Sequence, residues 1–84
     1  MKIKELQEYI QANIGNIKEI KLNEKELELV VQLKDKIFSI ADLEKILDNN
    51  HFLEGLSYDY ENIAIFDISE LDLEDIKVEL NELY

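Results

Sequence analysis

The residues of this chain that could do chemistry are mainly carboxylates. Twenty of the 84 residues are Asp or Glu, against nine Lys and no Arg, and the formal net charge is −11 at pH 7. The imbalance is local, because residues 1–42 carry a net charge of −1 and residues 43–84 carry −10. Such a surface attracts basic proteins and repels nucleic acid, whose phosphates are bound mainly by Lys and Arg. We therefore expect a basic protein partner, itself nucleic-acid-binding, and no direct contact with nucleic acid.

Acids without neighbouring cations are concentrated after residue 58, where Lys77 is the only Lys. In a helix, acids four residues apart are separated by about 6 Å along the axis, which resembles the interval between successive phosphates of one strand. The sequence predicts a phosphate-like, partner-binding array made of Asp59, Glu61, Asp67, Glu70, Asp72, Glu74, Asp75, Glu79 and Glu82. The alternative is that these acids only keep the protein soluble, and that those in the first turn of a helix favour its dipole.

Catalysis is poorly supported by the residue types. A nucleophile needs an activating base, and the chain offers Ser39, Ser57, Ser69 and a single His51, with no Cys. Two of these serines are better explained as helix caps, and His51 follows an expected helix end, where a surface histidine is common. Without Arg or a Gly-rich loop, little is available to bind a phosphorylated ligand. We expect no enzymatic activity and no cofactor.

Metal binding is another use for carboxylates. An EF-hand needs oxygen ligands at alternate positions, with a Gly at the sixth and a Glu at the twelfth. Frames that begin at Asp48 and Asp67 place Phe52 and Leu71 at a ligand position, so both fail. The absence of Cys excludes disulfides and thiolate zinc sites. We expect no metal site.

Hydrophobic periodicity predicts the elements that would position these groups. Apolar residues at helical spacing predict a helix over residues 2–13, with Gly15 in the left-handed position that ends many helices. Alternating residues predict a hairpin of strands 17–22 and 27–33, and Ile37-Phe38 is a candidate for a short third strand.

In the second half, Ser39 stands three residues before Asp42, a spacing that resembles a capping box and predicts a helix ending near residues 49–50. Residues 56–60 and 63–66 alternate and predict a second hairpin. Ser69 repeats the capping pattern ahead of the apolar stripe of a last helix, formed by Leu73, Ile76, Leu80 and Leu83.

The order α-β-β-(β)-α-β-β-α predicts an α+β fold, a small two-layer domain in which helices pack on an antiparallel sheet of about four strands, built from two hairpins. We expect residues 1–84 to form a single domain, because the chain has no room for a second core. The lack of Cys, of a secretory signal and of an apolar run near the roughly 20 residues of a membrane span predicts a cytoplasmic protein without membrane attachment.

Small size, acidity and the absence of a catalytic set look like the general class of phage-encoded DNA mimics, which includes inhibitors of restriction and CRISPR nucleases. No family motif carries this resemblance. It implies an inhibitor that occupies the nucleic-acid groove of a basic protein, and the abundance of Ile, Lys and Asn favours an A/T-rich phage or mobile-element source. Two alternatives stay open: an immunity protein or antitoxin against a nuclease toxin, and a structural or regulatory module, such as a homodimer joined through a sheet edge.

Overall fold

Three helices and an antiparallel sheet make up the part of the chain that the structure, a computed structural model, describes: residues 2–50, 53, 55–57, 62–69 and 71–83. The helices are α1 (Lys2–Asn13), α2 (Ile40–Asn49) and α3 (Leu73–Leu83). The strands are β1 (Ile17–Asn23), β2 (Glu28–Leu33), β3 (Gly55–Ser57) and β4 (Ile63–Asp67). This arrangement confirms the α+β class and the antiparallel sheet.

The sheet joins two hairpins side by side, in the order β1-β2-β4-β3. The central pair is β2 with β4, and Val31 lies opposite Ile20 on one side and Ala64 on the other. β3 lies at one edge of the sheet, and the structure describes three residues of it, Gly55–Ser57. The expected third strand at Ile37-Phe38 is wrong, because both residues are irregular and Phe38 is buried in the core from a loop. Residues 58–60 of the second hairpin lie outside the described residues.

One face of the sheet forms the core with the helices. Along β2, Leu29, Val31 and Leu33 are buried, whereas the alternate residues Val30 and Gln32 are half-buried on the other face. The helices contribute Ile3, Leu6 and Ile10 of α1, Leu43 and Ile46 of α2, and Ile76 of α3 to the described core, which also contains buried residues of β1, of β4 and of the loops. Among the described residues, no helix has the length and apolar character needed to cross a membrane.

The predicted capping box at the start of α2 is confirmed. Ser39 Oγ accepts a hydrogen bond from Asp42 N at 3.1 Å, and Asp42 Oδ2 accepts one from Ser39 N at 3.2 Å. Burial acts to raise the pKa of the Asp42 carboxyl, but the bonds from Ser39 and the charges of Lys36 and Lys45 outweigh it, so the pKa lies below its ordinary value. The stabilisation from this carboxylate is therefore present at neutral pH and is lost as the pH falls through the folded-state pKa.

The predicted cap at Ser69 is wrong. α3 begins at Leu73, and Asp72 caps it: Asp72 Oδ1 accepts a hydrogen bond from Glu74 N at 2.9 Å. Ser69 N instead donates to Asp67 Oδ1 at 2.8 Å, in the turn that follows β4. The helix starts later than expected because the residues after β4 form a turn, in which Leu71 N donates a hydrogen bond to the carbonyl of the buried Ile68 at 3.0 Å.

The end of α1 also differs from the prediction. Gly15 is not in the left-handed region, since no described glycine has a positive φ. Instead, Ile14 N and Gly15 N both donate to Ile10 O, at 2.8 and 2.9 Å. Lys36 Nζ donates to the Ile14 carbonyl at 2.8 Å and so satisfies an acceptor that the helix leaves unpaired.

Gly15→Ala is therefore expected to be tolerated. A Cβ at Gly15 would lie 3.4 Å from Lys36 Cδ, the flexible part of a side chain, and 3.7 Å from Leu33 Cδ1. Because alanine restricts the unfolded chain, the free energy of unfolding should rise by about 0.4–1 kcal/mol, measured by urea denaturation. A decrease of more than about 1 kcal/mol would show that Gly15 needs the left-handed conformation after all.

Candidate functional site

One flank of α3 and the residue that caps it carry a continuous line of carboxylates. Asp72, Asp75, Glu79 and Glu82 follow one another at steps of three, four and three residues, which places them on one side of a 3.6-residue helix. Ile76 is buried in the core beside this line, so α3 is held with its acids at the edge of the packed face. We call these four residues the acidic stripe.

The acidic stripe borders a groove of about 390 Å³ between α3 and the beginning of α1. The remaining lining residues are Lys2, Leu71, Ile76 and Val78. Val78 is 56% exposed, although it is a large apolar side chain. The groove therefore combines carboxylates with an apolar surface, and we call it the acidic groove.

Glu79 has a structural contact as well as a place in the stripe. Its Oε1 accepts a hydrogen bond from Ile3 N at 3.0 Å, at the start of α1. The first N–H groups of a helix have no partner within the helix, and a carboxylate there also interacts favourably with the helix dipole. Glu79 therefore ties α3 to α1 across the acidic groove.

Glu74 lies on a different flank of α3. Lys77 forms an ion pair with Glu74 Oε1 at 3.5 Å and another with Glu24, in the turn between β1 and β2. The hydrogen bond to the Glu24 carboxylate, more than its charge or that of Glu74, raises the pKa of Lys77. Glu74 therefore has a cation beside it. The acidic stripe lies on the side of α3 opposite to Lys77.

Among the other predicted binding residues, the two that the structure describes, Asp67 and Glu74, do not join the stripe. Asp67 is exposed at the end of β4, holds the turn to Ser69 and does not line the acidic groove. Asp59, Glu61 and Glu70 lie outside the described residues, as do Tyr58, Tyr60 and His51. Of the six predicted acids that the structure describes, four lie together in the stripe.

The charge of the acidic groove is strongly negative. Its described lining has four carboxylates and one cation, Lys2, which gives a formal charge of −3. The stripe runs from Asp72 to Glu82, which is eleven residues or about 15 Å. Measured along the duplex axis, one strand of B-form DNA carries about four or five phosphates over that length. The stripe therefore has nearly the linear charge density of a single nucleic-acid strand.

The same acids do not form a cation cage. In the described part of the chain, no three Asp, Glu or His side chains come close enough to hold a metal ion. No protein-family model, curated protein or solved structure matches the chain.

Proposed function

We propose that this protein is a non-enzymatic inhibitor that binds a basic, nucleic-acid-handling protein and occupies its nucleic-acid groove with the acidic stripe. The observation that supports this most is the alignment of four carboxylates on one flank of α3, beside a groove whose described lining has Lys2 as its only cation. The partner would be a nuclease, such as a restriction or CRISPR effector, because such proteins carry extended basic clefts.

The alignment is costly for the helix, which favours a functional reading. Like charges three or four residues apart destabilise a helix by about 0.2–0.5 kcal/mol per pair, and α3 contains two such pairs in succession, Asp75 with Glu79 and Glu79 with Glu82. On the other flank of α3, Lys77 follows Glu74 at the same spacing and removes this cost. A surface shaped for solubility alone would distribute cations on both flanks.

Structural roles account for only half of the stripe. Asp72 caps α3, and Glu79 accepts the hydrogen bond from Ile3. Asp75 and Glu82 are exposed and form no hydrogen bond or ion pair within the described residues. Glu82 therefore has no structural role among the described contacts, and Asp75 has only the favourable interaction of a first-turn acid with the helix dipole.

An immunity protein or antitoxin that neutralises a basic nuclease toxin is the second candidate. It would use the same charge and the same groove. The two proposals differ in whether the partner's nucleic acid is displaced, because an inhibitor can also bind a toxin away from its catalytic cleft.

Competition with nucleic acid tests the proposal. The partner is captured on the immobilised protein, eluted and loaded with DNA or RNA. Addition of the free protein should then release the nucleic acid, because the protein and the nucleic acid need the same cations of the partner. Raising the salt from about 50 to about 500 mM shortens the Debye length several-fold and should slow association strongly. A ternary complex with nucleic acid still bound would contradict groove occupancy, and an association rate independent of salt would contradict electrostatic binding.

A further inference from the structure

We propose that the acidic groove receives the Lys or Arg side chains of a basic protein segment, with their aliphatic stems on Val78 and their charged groups on Asp75 and Glu82. This inference rests on the function proposed above and specifies the part of the partner that is bound. It assigns the recognition to a combination of charge and apolar contact, whereas imitation of phosphates needs charge alone.

Val78 is placed for this contact by the helix. It follows Asp75 by three residues and precedes Glu82 by four, so the three side chains are neighbours on the surface of α3. The valine is 56% exposed and lines the acidic groove with Leu71 and the buried Ile76. A cation that enters between the two carboxylates therefore meets an apolar side chain.

Lys and Arg are the side chains that match this pairing. Both carry an apolar stem that packs on hydrophobic surface while the charged head stays at a polar site. The guanidinium of Arg can also donate two parallel hydrogen bonds to one carboxylate. The formal charge of −3 of the groove lining complements such a segment.

The size of the groove agrees with a short segment. Its volume of about 390 Å³ lies near the lower end of the range of about 300–1,000 Å³ for ligand clefts. That space suits a few side chains of one peptide. The exposed position of Val78 means that the contact forms without opening the core.

The test compares two cationic probes, one with aliphatic stems and one without. Hexa-arginine peptide is titrated into the protein and followed by fluorescence anisotropy, and hexaamminecobalt(III), a compact trivalent cation, is titrated by calorimetry. Val78→Ser should weaken hexa-arginine binding about fivefold, from the loss of part of one apolar contact, and leave hexaamminecobalt(III) binding unchanged. Ile40→Ser on α2, where the isoleucine is also exposed and lies outside the groove, is the matched control and should change neither.

Each outcome separates this inference from the proposed function. If Val78→Ser leaves hexa-arginine affinity unchanged while Asp75→Asn/Glu82→Gln abolishes it, the stem contact is refuted and the electrostatic function stands. If Asp75→Asn/Glu82→Gln changes neither the affinity for hexa-arginine nor that for the captured partner, both proposals are refuted. Val78→Thr keeps the side-chain shape. Its circular dichroism spectrum and its affinity show whether a loss seen with Val78→Ser comes from altered folding.

Discussion

Val31→Asp is expected to unfold the protein. Val31 is fully buried at the centre of the sheet, between Ile20 of β1 and Ala64 of β4. A carboxylate there would be buried without a cation or hydrogen-bond donors, at a cost of more than about 5 kcal/mol. Because small proteins are stable by only about 5–15 kcal/mol, the folded state should not persist. Far-UV circular dichroism and urea denaturation measure the result.

The neighbouring residue provides a matched control. Val30 points to the opposite face of β2, is half-buried and pairs with Lys21 of β1. Val30→Asp introduces the same charge where water reaches it, and it should lower the free energy of unfolding far less. Leu29→Asp, again on the buried face, should behave like Val31→Asp. Equal tolerance of all three substitutions would contradict the assignment of the two faces.

The two faces of β2 could be predicted from the sequence because the alternation of apolar and polar residues is a local signal. The spacing of Leu29, Val31 and Leu33 predicts their burial without knowledge of any partner strand. The capping box of Ser39 and Asp42 is equally local, and it is confirmed. The extent of α1, Lys2–Asn13, follows in the same way from its apolar stripe.

Features that depend on distant residues could not be read from the pattern. The pairing of β2 with β4 joins the two hairpins, and several registers would satisfy the same alternation. Phe38 is buried from a loop, and hydrophobic periodicity alone cannot distinguish such a residue from a buried residue of a strand. Gly15 needed no left-handed conformation because Lys36, 21 residues later, supplies the cap of α1.

The candidate site divides in the same way. The acids of α3 stand out in the sequence. Which of them lie beside Lys77 depends on the rotation of the helix about its axis and on the ion pair that Lys77 forms with the distant Glu24. The bond from Ile3 N to Glu79 joins residues 76 positions apart, so nothing nearby in the chain indicates it. Val78 belongs to an alternating run with Ile76 and Leu80, and only its exposure in the structure marks it as part of the groove.

Asp75→Asn/Glu82→Gln is expected to abolish most partner binding while leaving the protein folded. Each charged contact at the centre of an interface contributes about 1–3 kcal/mol, so the double variant should lose a factor of at least about 30 in affinity. Removing two like charges relieves repulsion on one flank, and the loss of Asp75 from the first turn of α3 removes a favourable dipole interaction of similar size. The free energy of unfolding should therefore change by no more than about 0.5 kcal/mol. Glu79 is kept, because its carboxylate accepts the hydrogen bond from Ile3 and its loss would confuse folding with binding.

A second double variant separates local geometry from total charge. Glu44→Gln/Asp48→Asn makes the same chemical changes at two exposed acids four residues apart on α2, outside the acidic groove. If the acidic stripe is the binding surface, this variant should retain nearly full affinity for the captured partner in calorimetry, because salt screens the interactions of exposed charges that lie outside the interface. Equal losses in both variants would mean that the partner responds only to the net charge of −11. No loss in either would mean that the carboxylates of α3 serve solubility, and the binding surface would then lie outside the stripe.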